Sequence, residues 1–533
     1  MDRSQPRELR ARLLRRRMSR RTILAGGGAL AAGGAATAAA SLYAFPDASG
    51  GADDGAGSPA ANRAPEEPLD GVAWAGHLLR RAGFGGSRAE LERFARLPKE
   101  EAVEELLAIE RVNVRPLEER LAAMGFSLEP GSDGIVRDMQ GWWLSRMALT
   151  PRPLEERVTY FWHGLLTTQV SVLGPDRAHW CLWQNELYRS KGLGRFDELI
   201  HATAKDPAMM VYLDTVESTK EHPNENFARE LLELFTMGEG NYTEEDVREA
   251  ARAFTGWRLT RPRVQFDPDL SEEERRERFR EALRQHRPEW FLAARQHDFG
   301  EKTFLGRTGP WGGEEIIDIV LEQPATARYI SRRLFRFFVH DEPTDEELEP
   351  LVAAWNESGH EIRSLVRTIL LSPSFGSFRA YRALVRSPVE FVVGMLRGLE
   401  LDPAELFRAE RRREGAALVR AYIAMDQLLF NPPNVAGWPG GPAWLSSSTF
   451  FARLNFLDAA LFPGGRPREL PLLAGLSDPD ELLEVLSYVF LDGELRDSAR
   501  TVMRAHLQEV SDAHERRATA AYLVLASPEY QLI

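Results

Sequence analysis

Beyond Val72 the apolar residues fall mostly three or four positions apart, the spacing of helices, and few stretches alternate as a half-buried strand would. In the segment opened by Pro153, Leu154, Val158, Phe161 and Leu165 form one such stripe. Thr243-Glu244-Glu245-Asp246 has the form of a capping box and predicts a helix through Val247, Ala250, Ala251 and Phe254, stopping near Gly256. Ser387-Pro388-Val389-Glu390 repeats that start, with proline at the first helical position. Strand signals are confined to Arg263–Phe266 and Lys302–Leu305, which predict one small hairpin. The charge-dense stretch 271–289 predicts a solvated helical insertion at about 268–290. Thr368–Phe375 and Tyr522–Tyr530 echo each other, an apolar helix end meeting Ser-Pro and an aromatic, but two copies do not make a solenoid. The expected fold is mainly α: a large multi-helix globular body over 69–533, with room for two lobes meeting near the insertion and at most a small β-hairpin.

Ahead of this body, residues 41–68 are rich in Gly, Ala, Asp, Ser and Pro without periodicity and predict a disordered linker. Residues 1–40 read as a signal. Ser19-Arg20-Arg21-Thr22-Ile23-Leu24 leads into an uncharged Ala/Gly-rich run, weakly apolar, resembling a twin-arginine signal peptide. Ile23 and Ala25 depart from the usual motif, which more often has Phe and Lys there. The run is almost long enough to remain as a membrane anchor, but Ala and Gly give little transfer energy, and small residues suited to cleavage lie near Ala38 and Ala40. The expectation is a periplasmic or secreted protein, carried by the twin-arginine translocase and keeping no membrane span after cleavage.

Of the 533 residues 43% are hydrophobic, ample for a large core. Residues 1–21 hold nine Arg against Asp2 and Glu8, a charge of +7, so the net −13 of the whole leaves −20 on the remainder. That acidity argues against a nucleic-acid partner and against electrostatic attachment to anionic lipid. A single cysteine, Cys181, excludes an intramolecular disulfide and any multi-cysteine zinc site.

No nucleophile elbow, His-Glu-x-x-His, phosphate-binding loop or haem-attachment pair is present. Four segments remain as candidates. Asn224–Phe235, wound as a helix, sets Asn226, Glu230 and Glu233 within about 60° of one another, opposite an apolar arc. Such a stripe suits a cation, or is simply a wet acidic face helped by a Glu225–Arg229 pair. His163, in Tyr160-Phe161-Trp162-His163, is a candidate ligand or base and equally a hydrogen-bonded structural histidine. His297-Asp298, in a Gly-containing loop, offers an imidazole beside a carboxylate, or a turn in which Asp298 caps local amides. The aperiodic loop Asn431–Trp444 carries Trp438 and Trp444, which suit a carbohydrate or aromatic pocket or anchor the loop on the core. Arg328, Arg332 and Arg336 form a stripe that meets an anion or faces water.

These segments, taken in order, resemble the bacterial domain of unknown function 1800 family (DUF1800). The resemblance runs through Gly76–Gly85, Phe161-Trp162-His163, Asn224–Thr236, Tyr242–Trp257, His297–Gly306 and Pro432–Trp444. Where the family often has Asn-His-Phe after His163, this chain has Gly164-Leu165-Leu166, so any chemistry of that second histidine is absent. The resemblance implies a helical, exported protein of no settled activity. It also implies a partner, a sulfatase-like protein of the domain of unknown function 1501 family whose genes lie beside those of this family. It assigns no catalytic residue.

Two functions suit these observations. In one, His163, Glu230, His297 and Asp298, with Asn226, converge on a divalent metal such as Zn²⁺, Mn²⁺ or Fe²⁺ in an extracytoplasmic enzyme, where it polarises an oxygen or activates water. In the other, a non-catalytic envelope protein binds or matures the sulfatase-like partner. Carbohydrate binding through Trp438 and Trp444 is compatible with either.

Overall fold

The computed structural model describes residues 64–533 except 266–268 and 409–414. The expected signal, 1–40, and the linker up to residue 63 lie outside the described residues. The linker does not run to residue 68. Phe378 N donates to Glu67 O at 3.1 Å, Arg379 N to Pro65 O at 2.9 Å, and Leu69 N to Gly376 O at 2.7 Å. Leu69 is fully buried and draws this backbone down with it.

The fold is mainly α, and the described residues from 64 onward fall in one compact unit, with no division at the insertion. Helix Pro153–Leu165 sits at its centre, packed against helices Gly71–Ala82, Lys99–Leu107, Ile135–Leu149 and Trp180–Lys191. The apolar stripe predicted one buried face, yet every residue of this helix except Gly164 is buried. The extra burial takes in charges. Glu156 Oε1 accepts from Arg146 Nε at 2.5 Å and Arg189 Nε at 2.6 Å, and Oε2 accepts from Trp143 Nε1 at 2.9 Å. Burial alone would raise the pKa of this carboxyl; the charges of Arg189 and Arg146 outweigh it and hold the group at about 2.

A second buried pair closes the chain on itself. Arg80 Nη1 and Nη2 donate to the two oxygens of Asp492 at 2.7 Å each, and Tyr381 Oη adds a third bond at 2.7 Å. A Cβ at Gly76 would stand 1.9 Å from Asp492 Oδ1, so the glycine makes room for the pair.

Helix starts follow the expected capping. Thr243 opens helix Glu244–Ala253 and Ser387 opens Pro388–Gly398, each with a reciprocal capping box. The internal echo is also structural: the hydroxyls of Ser372 and Ser527 accept the amides of Phe375 and Tyr530 at 3.1 and 3.4 Å, and both aromatics are buried. The insertion is a helix, Glu272–Gln285, with no buried residue, tied down by Arg284 Nε on Asp176 at 2.9 Å.

The hairpin expectation needs correction. Strand β1 (Trp257–Leu259) pairs antiparallel with β2 (Trp290–Leu292), and β3 (Lys302–Phe304) with β4 (Arg307–Gly309). Leu305 and Gly306, at φ 46° and 77°, form the two-residue turn whose positive φ values suit a tight hairpin. Lys302–Phe304 therefore folds onto its neighbour and not onto residues near 263.

Candidate functional site

Helix Pro153–Leu165, helix Pro324–Phe338, the start of helix Pro388–Gly398 and the loop 427–444 surround a cavity of about 430 Å³. The central helix presents Arg157, Tyr160, Phe161 and Gly164 to it, an i, i+3, i+4, i+7 set on one face. Trp438 and Trp444 line it from the loop.

The loop is docked by named contacts. Phe430 N donates to His163 Nε2 at 3.0 Å, Val170 N donates to Phe430 O at 2.9 Å, and Thr167 Oγ1 donates to Val435 O at 2.6 Å. At Gly437, φ 82°, the chain crosses the end of the central helix so closely that a Cβ would lie 2.5 Å from Gly164 O. Trp444 is 5% exposed, and its carbonyl accepts from Thr449 Oγ1 at 3.0 Å and Arg453 Nη2 at 3.3 Å. Trp438 is half-buried, its ring 5.5 Å from that of His163. Both tryptophans therefore anchor the loop and wall the cavity.

The floor is a fixed polar chain. Gln427 Nε2 donates to Tyr160 Oη at 2.5 Å, Tyr160 Oη to Ser387 Oγ at 3.2 Å, and Val389 N to Gln427 Oε1 at 3.0 Å. Glu390 accepts Ser387 N at 2.6 Å and forms an ion pair with Arg157, whose Nε donates to Arg81 O at 2.9 Å. Burial opposes ionisation of Glu390, yet Arg157 keeps its pKa below the ordinary carboxylate value. Burial, then the Glu390 charge, push the Tyr160 phenol up to about 12. At neutral pH the first is a carboxylate and the second a neutral hydroxyl.

The metal candidates are not gathered into a ligand set: among the described residues no group of three or more His, Cys, Asp or Glu is placed to hold an ion. Each meets local needs. His163, pushed down to about 3 by burial, is a neutral acceptor for the loop backbone. His297 Nδ1 donates to Thr255 O at 2.7 Å. Asp298 accepts from Arg252 Nε and Gly300 N, both at 2.8 Å, so this segment is the capped turn. Asn226 is exposed and donates to Asp214 Oδ2 at 3.2 Å. Glu230 is half-buried, which raises its pKa, with Glu233 adding to the shift. The expected helical wheel also breaks here: the α-helix Asn226–Glu230 becomes a π-helix over Leu231–Thr236, with Met237 N donating to Leu232 O, five residues back. Glu233 then accepts from Tyr242 Oη at 2.9 Å.

A family model described as "Protein of unknown function (DUF1800)" matches residues 77–532. The chain belongs to that family. No curated protein and no solved structure matches it. In this DUF1800 protein the segments that carry the resemblance do structural and lining duties: Gly76 accommodates Arg80–Asp492, His163 holds the loop, and Pro432–Trp444 forms the cavity wall. The sequence had pointed to the tryptophans and, through the arginine stripe, to Arg336. It had not pointed to Arg157, Tyr160, Arg333, Ser387, Glu390 or Gln427. A triplet of charges, Glu155-Glu156-Arg157, inside an otherwise apolar segment was the available signal.

Proposed function

We propose that this is an exported, non-catalytic binding protein whose cavity takes a saccharide. The observation that carries the reading is two tryptophans walling a cavity of about 430 Å³ above a row of oriented hydrogen-bonding groups, Tyr160, Ser387 and Gln427. Amphipathic aromatic faces with a few fixed polar groups are the furnishings of a small-ligand site, and the volume lies in the usual range of roughly 300–1,000 Å³. Glu390 and Tyr160 are both held far from a pKa near neutrality, so neither is poised for general acid–base work. A metal-dependent enzyme finds less support, because the expected ligands satisfy separate local contacts.

The test is binding of wild type and Trp438→Ala to an array of neutral and acidic oligosaccharides. Loss of an aromatic anchor should weaken the hits by roughly 2 kcal/mol, about thirtyfold in Kd. An empty array, or hits indifferent to Trp438→Ala, defeats the reading.

The export half rests on Arg20-Arg21 and the uncharged run behind them. Replacing both arginines by Lys should trap a fused reporter in the cytoplasm, and normal export of that variant would refute the twin-arginine route.

A further inference from the structure

Positive charge is concentrated around this cavity in a protein that is otherwise acidic. Arg333 and Arg336, one turn apart on helix Pro324–Phe338, both line it. Neither makes an ion pair with a carboxylate among the described residues; Arg333 lies over the Tyr329 ring, 5.8 Å from its centre, and hydrogen-bonds to that residue's side chain. On the same helix Arg328 pairs with Asp345, and Arg332, exposed as Arg336 is, stands outside the cavity lining. Behind the wall sit further guanidiniums that carboxylates do not balance. Arg81 is fully buried, with Nε and Nη1 lacking hydrogen-bond partners. Arg386 donates to Tyr530 O at 2.8 Å, and Arg453 to Gln531 Oε1 at 2.9 Å and Arg386 O at 2.6 Å, all neutral acceptors. The lining carboxylate side chains are Glu390, already committed to Arg157, and the exposed Asp341, and the last residue, Ile533, adds its terminal carboxylate to the lining. Burial pushes Arg81 down to about 9 and Arg386 and Arg453 to about 10, with Arg157 adding to the first shift and Arg386 to the third. Low-dielectric walls focus such a field into the open space they enclose.

We propose that the saccharide this cavity takes is an acidic one, its carboxylate, sulfate ester or phosphate monoester received by Arg333 and Arg336 while Trp438 and Trp444 hold the ring. The inference rests on the saccharide reading and adds the charge of the ligand. Two guanidiniums one helical turn apart present donor forks of the kind that match planar or tetrahedral oxyanions. Gly164, also on the lining, leaves open space beside the central helix, since a Cβ there would meet nothing within 4 Å.

Calorimetric titration of the full mature chain decides it, with three probes of matched length: a neutral dextran oligosaccharide, an oligogalacturonate and a sulfated dextran oligosaccharide. Wild type should bind at least one acidic probe on the order of tenfold more tightly than the neutral one, with an advantage that shrinks as salt rises. Which acidic probe wins separates carboxylate from sulfate ester. The double variant Arg333→Gln/Arg336→Gln should lose the preference and keep the neutral affinity, whereas Trp438→Ala should weaken all three probes together. Equal affinity for neutral and acidic probes, or a preference that survives the double variant, overturns the inference and leaves the saccharide reading standing. Failure of wild type to bind any of the three overturns both.

Discussion

Replacing Glu156 by Gln is expected to lower the unfolding free energy by up to about 3–5 kcal/mol, because this is the one fully buried carboxylate between two buried guanidiniums and its loss leaves their charge under-compensated. Arg146 and Arg189 are each about 5% exposed or less and meet at this buried carboxylate, their other carboxylate partners, Glu118 at 2.6 Å and Glu186 at 2.8 Å, being exposed. Glutamine would offer them a single neutral oxygen and turn an amide donor toward cations. Urea unfolding at neutral pH measures the loss. Glu155→Gln, one residue earlier, is the comparison: that carboxylate meets Arg152 at 3.2 Å, where both side chains retain some solvent contact. Its removal should cost about 1 kcal/mol or less, in line with salt bridges that keep contact with water. Equal losses at the two sites would mean that the buried network has no special weight.

The same group makes the fold acid-labile. Glu156 has a folded pKa of about 2, below its unfolded value near 4.5, so its contribution is complete above pH 4.5 and is lost as pH falls toward 2. His163 acts in the same direction for the opposite reason. Burial lowers its folded pKa to about 3, so between pH 6.5 and 3 the unfolded chain binds a proton that the folded one refuses. Asp206 opposes them: burial raises it to about 7, and its ionisation costs stability as pH rises from 3.8 through 7. Urea midpoints should therefore fall steeply below about pH 4.5, and Asp206→Asn should raise the midpoint at pH 8 more than at pH 4. A flat profile on the acid side would contradict the burial of Glu156 and His163.

Helix starts were legible because their chemistry is local. Thr243, Ser387 and Pro153 each specify a first turn with residues a few positions apart, and each helix begins where those residues place it. The burial of Glu156 was not legible for the same reason, since acidic residues in a first turn are favourable on any exposed helix. Nothing nearby in sequence shows that Arg189, thirty-three residues on, closes over Glu156. The ladders failed similarly: Leu305-Gly306 makes a tight turn, but the partner of Trp257–Leu259 lies beyond a whole inserted helix. The cavity was half legible. Tryptophans in an aperiodic loop are conspicuous, whereas Arg333 looked like one more cation on an amphipathic helix, and only the packing of helix Pro324–Phe338 beside the central helix turns it inward.

Two glycines at the close crossing of the loop over the central helix should respond in opposite ways to the same methyl group. Gly437 has φ 82°, a left-handed conformation that costs a side-chain-bearing residue roughly 1–2 kcal/mol. Its added Cβ would also lie 2.5 Å from Gly164 O, a backbone atom fixed in the central helix and unable to yield. Gly437→Ala should therefore lift the loop, expose Trp438 and abolish saccharide binding, while the helical body keeps most of its stability. Gly164 is interior to helix Pro153–Leu165, and its Cβ would meet nothing within 4 Å. Gly164→Ala should stabilise the protein by about 0.5–1 kcal/mol through helix propensity alone and leave the loop seated. Limited proteolysis between residues 431 and 444, read beside the tryptophan emission maximum, distinguishes the two: faster cutting and a red shift for Gly437→Ala, neither for Gly164→Ala. If both variants behave alike, the close crossing at Gly437 is not what seats the loop, and the cavity wall must be held by His163 and Thr167 alone.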